Sequence, residues 1–321
     1  MQTIVTGGAG LIGSNIARLL NGRGETDILV VDHLRGDSLK RRNLDSIRHA
    51  AYMERDEFRA ALREGRVETP RVVYHLGACS STTETDEAFL ADNNTAYTRE
   101  LCQWCLERGA RFVYASSAAT YGDGSLGYSD DEAGIPALRP LNLYGWSKQK
   151  FDLWALENGL TGKIAGIKYF NVFGPGEDHK GDMRSVVAKQ YATVRDEGRI
   201  SLFRSDRPDC ADGCQDRDFV YVKDAAAVTV WLGDHPGVGG IFNCGTGRAR
   251  TWLDLARALF AAVGREPRID FVDMPGKLKG KYQYHTEARM EKLRAAGCDV
   301  PFRPLEDAVA DYVSTHLSRF A

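Results

Sequence analysis

The chain has 321 residues, of which 43% are hydrophobic and 27% are charged, so it can form one large or two moderate globular domains with an ample core. Its formal net charge is −2 at pH 7, which argues against nucleic acid or an anionic membrane surface as a partner. No apolar run approaches the length of a transmembrane helix.

The first residues and the cysteines indicate the compartment. The chain runs from its start straight into a strand and a glycine turn, without the basic flank and apolar core of a signal peptide. The seven cysteines lack the spacing of a disulfide framework, which fits reduced thiols, and we expect a cytoplasmic protein. Cys102 and Cys105 with Cys210 and Cys214 could be imagined as a split zinc site. Because the first pair falls in a helical pattern, we predict no metal.

A phosphate-binding turn follows the first predicted strand. Residues 2–5 form a short apolar run, and Gly7, Gly10 and Gly13 follow it before a helical run over residues 14–20. Glycines at these positions let the turn close, let the backbone approach a pyrophosphate and let the helix pack on the strand, while the helix N-terminus faces the anion. This order predicts a dinucleotide site; the alternative is a purely structural glycine turn.

The second predicted strand ends in an acid that bears on the choice of dinucleotide. Residues 27–31 lead to Asp32, about twenty residues beyond the glycines, where an acid bonds the adenosine ribose hydroxyls. Asp32 by itself indicates NAD. The cations that follow could hold a ribose 2′-phosphate, as in NADP, or form a solvated basic loop, and they are Arg35, Lys40, Arg41, Arg42 and Arg55.

Two further strands are predicted to end at the same edge of the sheet. The strand over residues 72–76 leads into small residues at 77–80, which suit close approach of the backbone to a ligand. His75 in that strand is interpreted as a packing residue. Asn93 opens the next predicted helix, either as a cap or by holding backbone at the cofactor. The strand that begins at residue 111 ends in hydroxyl side chains.

Tyr144 and Lys148 are spaced for one face of a helix. If the segment is helical, an ammonium lies beside a phenol, and we expect this pairing to lower the pKa of the phenol toward working pH. Such a phenol can take a proton from an alcohol while a hydride leaves the same carbon for a nicotinamide ring. Ser117 could bind the oxygen that becomes a carbonyl. The spacing alone is weak, and an amphipathic surface turn is the alternative.

The carboxyl-terminal part is predicted to hold the substrate. After a strand over residues 164–170 the chain leaves the dinucleotide domain, and a helix over 185–195 begins a smaller cap. Arg217 could grip a diphosphate as a planar fork or form a surface ion pair. Asp224 is predicted to cap a helix, and a strand over 241–245 to return to the large domain. A basic, aromatic loop, suited to an anionic nucleotide or to a solvated turn, comprises Lys277, Lys279, Lys281 and Tyr282.

Several motifs resemble those of the extended short-chain dehydrogenase/reductase superfamily. They are T-G-G-A-G-L-I-G (6–13), A-S-S-A-A-T-Y-G (115–122), Y-G-W-S-K (144–148) and Y-F-N-V-F-G-P (169–175). Further runs, almost from end to end, resemble the ADP-L-glycero-D-manno-heptose 6-epimerases in particular. These runs are H-L-G-A-C-S-S-T-T-E, D-N-N, H-K-G, R-D-F-V-Y-V, I-F-N-C-G-T-G and K-L-K-G-K-Y-Q. The A-C-S-S-T-T-E run and the H-K-G lysine carry the narrower resemblance.

The resemblance implies an α/β fold with two interleaved domains. One is a doubly wound parallel-sheet Rossmann domain (1–168 and 218–245), and the other is a smaller α/β substrate domain (169–217 and 246–321). The implied activity is an isomerase that inverts carbon 6 of ADP-glycero-manno-heptose, from D-glycero to L-glycero, in lipopolysaccharide core biosynthesis. Bound NADP, or alternatively NAD, would accept and return the hydride. A symmetric homo-oligomer, a pentamer, is also implied. The alternatives are another nucleotide-sugar epimerase or dehydratase, and a non-catalytic dinucleotide sensor.

The resemblance assigns site residues by position. Catalytic roles fall on Ser117, Tyr144, Lys148 and Lys180. Lys180 would be a second acid or base, or else a phosphate-facing or merely exposed lysine. Cofactor contacts fall on Gly7, Gly10, Leu11, Ile12, Gly13, Asp32, His33, Lys40, Arg55, Leu76, Gly77, Ala78, Cys79, Ser80, Asn93, Lys148 and Val172. Substrate contacts fall on Ser117, Asn171, Lys189, Phe203, Arg217 and Tyr282.

The chain departs from the family at several of these places. His33 stands where the family usually has Asn, and Arg55 where Lys is usual. Asp182 and Lys189 stand where Ser and His are expected. Residues 204–217 are longer than the family's nucleotide-facing loop. These departures concern the contacts to the cofactor and the sugar nucleotide and leave the catalytic residues in place.

Overall fold

The computed structural model describes residues 2–276 and 282–319. Its strands are β1 (Thr3–Thr6), β2 (Ile28–Asp32), β3 (Ala51–Glu54), β4 (Val72–His75), β5 (Arg111–Ser117), β6 (Ala165–Tyr169), β7 (Asn171–Phe173), β8 (Ile200–Phe203), β9 (Asp216–Arg217), β10 (Phe219–Tyr221), β11 (Gly240–Cys244), β12 (Arg250–Thr251) and β13 (Ile269–Val272). Its α-helices are α1 (Leu11–Gly22), α2 (Ser38–Asp45), α3 (Arg55–Arg63), α4 (Glu87–Leu90), α5 (Tyr97–Glu107), α6 (Leu143–Glu157), α7 (Val186–Glu197), α8 (Val222–Asp234), α9 (Trp252–Val263), α10 (Glu291–Ala295) and α11 (Leu305–Thr315).

A parallel sheet of seven strands forms the centre of the larger lobe, in the order β11-β6-β5-β4-β1-β2-β3. From β1 the chain winds outward through β2 and β3, and then returns to β4 on the other side of β1 to continue through β5, β6 and β11. The switch point therefore lies between β1 and β4, where Thr6 is in register with His75. In such sheets ligands bind outside the carboxyl ends of the strands at the switch point. The predicted doubly wound fold is confirmed.

Helices cover both faces of the sheet because successive side chains of a strand point to opposite sides. Val5 of β1 belongs to a core cluster with Ile16 of α1 and Val228 of α8. Its neighbour Ile4 belongs to a second cluster, on the other face, with Phe58 of α3 and side chains of α5 and α6. The near-continuous apolar character of the strands follows from this burial on both faces.

The smaller lobe is built on two short strand pairs and three helices. β8 and β13 pair in parallel, and β9 and β12 pair antiparallel. Around them α7, α9 and α11 bury a separate cluster that includes Val194, Leu259 and Val309. A parallel pair of β7 and β10 lies beside both lobes.

The chain passes between the lobes more than once. β11 pairs with β6 at the edge of the large sheet, as the sequence predicts for the returning strand. Ala288, Leu293 and Cys298 also pack in the core of the larger lobe, although they belong to the segment predicted as substrate domain. The division of the chain into domains at the predicted residues stays a prediction. None of the helices in the described part of the chain has the length and hydropathy needed to cross a bilayer.

Two local predictions differ from the structure, and one element was missed. The strand β3 was not predicted. The helix expected to open at Asn93 begins earlier, where Asp86 caps α4, and then passes through a π-helical turn (Ala91–Ala96) into α5. The residue at the N-cap of α8 is Tyr221, whereas Asp224 lies in the first turn and accepts a hydrogen bond from the Arg303 backbone at 2.8 Å. The Asp224 carboxylate therefore binds the distant Arg303 backbone, although the local sequence pattern predicts that it caps the helix.

Candidate active site

A cavity of about 830 Å³ opens at the carboxyl ends of the parallel strands, between the two lobes. The predicted catalytic residues all line it, and they are Ser117, Tyr144, Lys148 and Lys180. The predicted cofactor residues line it as well, and they are Gly7, Gly10, Leu11, Ile12, Gly13, Asp32, His33, Lys40, Arg55, Leu76, Gly77, Ala78, Cys79, Ser80, Asn93, Lys148 and Val172. Of the further substrate positions, Asn171 and Lys189 line the cavity. Within the described residues, Phe203, Arg217 and Tyr282 are not part of its wall.

The glycine turn fits a dinucleotide because its backbone has no room for side chains. Gly7 has φ +66°, and a Cβ there would lie 2.7 Å from the backbone nitrogen of Gly77. A Cβ on Gly13 would lie 2.2 Å from the carbonyl oxygen of Gly7. The helix α1 begins at Leu11, directly behind the turn, so its N-terminal N–H groups face the cavity. Two glycine segments, after β1 and β4, therefore meet at a cradle whose backbone N–H groups suit a pyrophosphate.

The carboxylate of Asp32 is already engaged on both oxygens. Its Oδ2 accepts from Ala9 N at 2.8 Å, and its Oδ1 accepts from His33 N and from Lys40 Nζ, each at 2.7 Å. Asp32 is buried, and its negative charge is offset by the Lys40 ammonium. The guanidinium of Arg55 enters the same wall and donates to Asn93 Oδ1. Of the cationic side chains that follow Asp32 in the sequence, Lys40 and Arg55 therefore reach the cavity.

Asn94, which the sequence analysis did not single out, holds the cofactor-side loop. Its Oδ1 accepts from Cys79 N at 2.8 Å, and its Nδ2 donates to Cys79 O at 2.9 Å. The same amide donates to Ser147 Oγ at 2.9 Å, on the helix of Tyr144. The D-N-N run signalled an amide at this place, but only the π-helical turn decides that Asn94 points inward to the loop while Asn93 faces the cavity.

Tyr144 and Lys148 lie one turn apart on α6, whose N-cap Asn142 accepts from Gly145 N at 2.8 Å. Ser117 ends β5 on the other side of the cavity wall. Burial raises the pKa of Tyr144 above its usual value, and a hydrogen bond with Ser117 opposes that rise. The Lys148 ammonium donates to the carbonyl of Ala115 at 2.8 Å, and burial lowers its pKa to about 8, with Asp152 acting in the opposite direction.

The expectation that the neighbouring ammonium lowers the pKa of Tyr144 is therefore wrong for this arrangement. Two effects compete, since burial disfavours phenolate while a nearby cation favours it. Lys148 is itself buried, at 6% exposure, and directs its charge at a backbone carbonyl. Desolvation is the largest of the effects on the pKa of Tyr144, and its direction is upward.

Lys180 reaches the cavity from a 3₁₀ segment (Asp178–Met183) that joins β7 to α7. The buried carboxylate of Glu177 fixes the start of this segment, because it accepts from Gly174 N at 3.2 Å and from Ser185 Oγ at 2.7 Å. Burial lowers the pKa of Lys180, and the charge of Glu177 acts against that shift. A lysine with a lowered pKa is closer to losing its proton at neutral pH than an exposed one, which is the direction that a general base requires.

The predicted nucleotide-side residues form an aromatic and cationic group behind the cavity wall. The guanidinium carbon of Arg217 lies 5.0 Å from the ring centroid of Tyr282 and 5.9 Å from that of Trp252. The indole N–H of Trp252 donates to Tyr282 OH at 2.8 Å. Trp252 itself lines the cavity, and nothing in the sequence analysis indicated it. The lysines of the predicted basic loop at 277, 279 and 281 lie outside the described residues.

The cysteines offer no metal site in the part of the chain that the structure describes. Cys102 and Cys105 are buried in α5, and Cys210 and Cys214 are partly exposed in the loop before β9. Among the described residues, no group of three or more His, Cys, Asp or Glu side chains is placed to hold a metal ion.

Comparisons with known proteins give one consistent result. Residues 3–245 match the model of the NAD dependent epimerase/dehydratase family. The chain is 56% identical over 316 residues to a protein of Nitratidesulfovibrio vulgaris (strain DP4) named ADP-L-glycero-D-manno-heptose-6-epimerase, with 98% of each chain covered. Its fold superimposes on the crystal structure of a Helicobacter pylori protein of the same name with a TM-score of 0.82 and 26% identity, covering 98% and 96% of the two chains. The fold of a Thermus thermophilus UDP-glucose 4-epimerase in complex with NAD matches with a TM-score of 0.75 and 26% identity, and 98% of each chain is covered.

Proposed function

Because the chain belongs to the NAD dependent epimerase/dehydratase family and, within it, to the ADP-L-glycero-D-manno-heptose-6-epimerases, we propose that it inverts carbon 6 of ADP-glycero-manno-heptose from the D-glycero to the L-glycero form. The reaction has no net redox change. Lipopolysaccharide core biosynthesis in the cytoplasm is the proposed setting.

One observation carries the proposal. Ser117, Tyr144 and Lys148 on the large lobe and Lys180 on the segment between β7 and α7 line the same cavity as the glycine cradle. A nicotinamide dinucleotide held there supplies a hydride acceptor that can return the hydride to the other face of the same carbon. A purely sensory dinucleotide site has no need of a serine, a phenol, a buried lysine and a partly buried lysine in one cavity.

The residues of the chain handle the proton and the oxygen. Ser117 bonds the oxygen at carbon 6 in both halves of the cycle, and Lys148 fixes the turn that carries Tyr144. Burial raises the pKa of Tyr144 and lowers that of Lys180, with Ser117 and Glu177 acting in the opposite directions. We infer that Lys180 removes the proton in the D-to-L direction and that Tyr144 donates one. The roles exchange in the reverse direction, as microscopic reversibility requires.

We propose NADP as the cofactor. The oxygens of Asp32 already accept from Ala9, His33 and Lys40, so this acid is less available to the ribose hydroxyls than a free one would be. Lys40 and Arg55 line the same part of the cavity and can bind a 2′-phosphate. Guanidinium and ammonium groups at such a position favour the phosphorylated dinucleotide.

The remaining assignments extend the proposal to the sugar nucleotide. Asn171 and Lys189 line the cavity and would contact the sugar and the diphosphate. Arg217 and Tyr282 contact Trp252, and we propose that these two residues, together with Phe203 at the end of β8, support the nucleotide end of the substrate. By resemblance to the family the protein is proposed to be a homo-oligomer, a pentamer, whose subunit number light scattering would measure.

The first experiment uses the purified protein without added cofactor. It is incubated with ADP-D-glycero-D-manno-heptose, the ratio of carbon 6 epimers is followed by chromatography, and the dinucleotide released on denaturation is identified. Conversion to a mixture of epimers, with NADP released, is the expected result. No conversion, even with NAD or NADP supplied, would refute the proposal and direct the assay to UDP-, GDP- and dTDP-sugars.

A further inference from the structure

A continuous chain of hydrogen bonds crosses the interior behind the cavity, and His75 is at its centre. His75 ends β4 and is 2% exposed. Its Nδ1 is 2.7 Å from Thr6 Oγ1, and its Nε2 is 2.9 Å from Thr98 Oγ1. The ring is packed edge-on against Tyr97, with centroids 5.0 Å apart, and stacked on Phe112 at 5.9 Å. Both ring nitrogens therefore have a fixed partner.

The partners determine where the proton of His75 lies. Thr98 Oγ1 donates its single hydrogen to the carbonyl of Asn94 at 2.5 Å, so it can only accept from His75, and Nε2 carries the proton. In the neutral ring Nδ1 is then an acceptor, and Thr6 Oγ1 donates a hydrogen bond to it. Thr6 Oγ1 in turn accepts from Gly77 N at 3.1 Å. The other tautomer would leave Nε2 without a donor and the Thr6 hydrogen without an acceptor.

The ring stays neutral over the working range of pH. Burial, reinforced by the charge of Lys148, lowers the pKa of His75 to about 3. A neutral imidazole with one donor and one acceptor gives the chain a single direction, from Gly77 N–H through Thr6, His75 and Thr98 to Asn94 O. Each group in the chain has only one hydrogen to donate, so the direction of one hydrogen bond fixes the direction of the next.

The two ends of this chain are the two parts of the active site. At one end Gly77 abuts Gly7 in the phosphate cradle. At the other end Asn94 donates to Ser147 Oγ at 2.9 Å, and Ser147 Oγ donates to the carbonyl of Tyr144 at 2.7 Å. Thus the cofactor-binding turn and the first turn of α6, which lie far apart in sequence, are joined through one buried imidazole.

We propose that His75 is a positioning residue for the reaction, held as its neutral Nε2–H tautomer, which sets the phosphate cradle relative to the turn of Tyr144 and Lys148. The inference rests on the proposed function for its catalytic consequence but not for the tautomer. Hydride transfer is sensitive to such placement, since a misplacement of about 1 Å can cost on the order of 10² in rate.

The tautomer is tested by ¹⁵N NMR on the uniformly labelled protein, with the His75 signals assigned by their loss in His75→Phe. The expected result is a neutral ring with a protonated Nε2, an unprotonated Nδ1 and a slowly exchanging Nε2–H, unchanged from pH 5 to 9. A proton on Nδ1, or a titration within that range, would overturn the proposal. This readout needs no substrate, so it is separate from any failure of the proposed epimerase activity.

The positioning role is tested by kinetics on matched variants. His75→Phe keeps the ring packing and removes both nitrogens, and Thr98→Val keeps the volume and removes the hydroxyl. Both should lower kcat at least tenfold, with KM and bound dinucleotide within twofold of wild type and a larger isotope effect with substrate deuterated at carbon 6. Thr98→Ser should restore most of the loss. His235→Phe, at an exposed histidine after α8, is the control and should leave kcat unchanged.

The outcomes separate positioning from packing. If His75→Phe and Thr98→Val fold, retain the dinucleotide and turn over within threefold of wild type, His75 is a packing residue and the proposal is refuted. If either variant is merely less stable, its melting temperature falls while kcat at 25 °C is unchanged, which also counts against positioning. If both fail to fold, the NMR result on the wild-type protein decides the proposal, because a ring without the Nε2–H tautomer cannot direct this chain of hydrogen bonds.

Discussion

The buried ion pair of Asp152 and Lys168 lies directly beneath the catalytic residues and should be highly sensitive to substitution. Both side chains are 0% exposed, and Lys168 Nζ is 3.1 Å from Asp152 Oδ2. Asp152 also accepts from Tyr114 OH at 2.9 Å and from Ser116 Oγ at 2.6 Å, while Lys168 donates to Thr120 Oγ1 at 2.5 Å. The substitution Asp152→Asn keeps the volume, removes the negative charge and leaves a buried ammonium without its counter-charge.

The size of the effect follows from that uncompensated charge. Breaking a buried ion pair by removing one partner costs about 3–5 kcal/mol, against about 5–15 kcal/mol for the whole free energy of unfolding of a typical domain. We therefore expect Asp152→Asn to lower the free energy of unfolding, measured by urea denaturation at pH 7, by about 3–5 kcal/mol. The double variant Asp152→Asn, Lys168→Met removes both charges and should regain about 2 kcal/mol or more of that loss.

An exposed pair provides the matched control. Lys150 on the same helix lies 3.3 Å from Glu87, and their side chains are 47% and 68% exposed. Lys150→Met should change the free energy of unfolding by no more than about 1 kcal/mol, because exposed pairs are screened by water. The reasoning would be refuted if Asp152→Asn cost less than about 1 kcal/mol, or if the double variant were less stable than the single one.

Four other predictions concern the site. Burial lowers the pKa of Lys148 to about 8, and the charge of Asp152 acts against that shift. Activity that needs the Lys148 ammonium is present below this pKa and lost above it, so Asp152→Asn should move the alkaline limb of kcat to lower pH. An unmoved limb would contradict this. The folded pKa of His75, about 3, lies below its ordinary value of 6.5, so its contribution to stability is present above pH 6.5 and lost as pH falls. The free energy of unfolding, measured by urea titration, falls between pH 7 and pH 4, and this fall should be about 3 kcal/mol smaller in His75→Phe than in wild type. If the free energies of the two proteins fell in parallel with pH, His75 would not be the group responsible. Lys180→Ala should lower kcat about 10²–10⁴-fold if this lysine transfers a proton, and a wild-type rate would leave only one acid–base group. Lys40→Ala should raise the Kd for NADP about tenfold or more and that for NAD less than threefold, as measured by calorimetry; equal losses would mean that Lys40 does not contact a 2′-phosphate.

Local spacing was sufficient for much of this protein. The order of strand, glycines and helix over residues 2–20 predicts the cradle, because the positive φ of Gly7 and the contact between Gly13 and the Gly7 carbonyl both lie within one βα turn. The four-residue separation of Tyr144 and Lys148 predicts their common helical face, since it depends only on helix geometry. The motif resemblance predicted the family and the fold, and both are confirmed by the comparisons and by the parallel sheet. The roles of the site residues stay predictions.

Only the tertiary structure decides how charges and protons are distributed over these residues. The pKa of Tyr144 rises because desolvation outweighs the hydrogen bond with Ser117, and the Lys148 ammonium faces the carbonyl of Ala115; neither burial nor these partners are visible in a five-residue motif. Asn94 rather than Asn93 holds the Cys79 loop because a π-helical turn rotates the helix there. The directed chain through His75 joins side chains from β1, β4 and α5. Electrostatics and hydrogen-bond direction depend on contacts between distant segments, so they were settled only when the chain had folded.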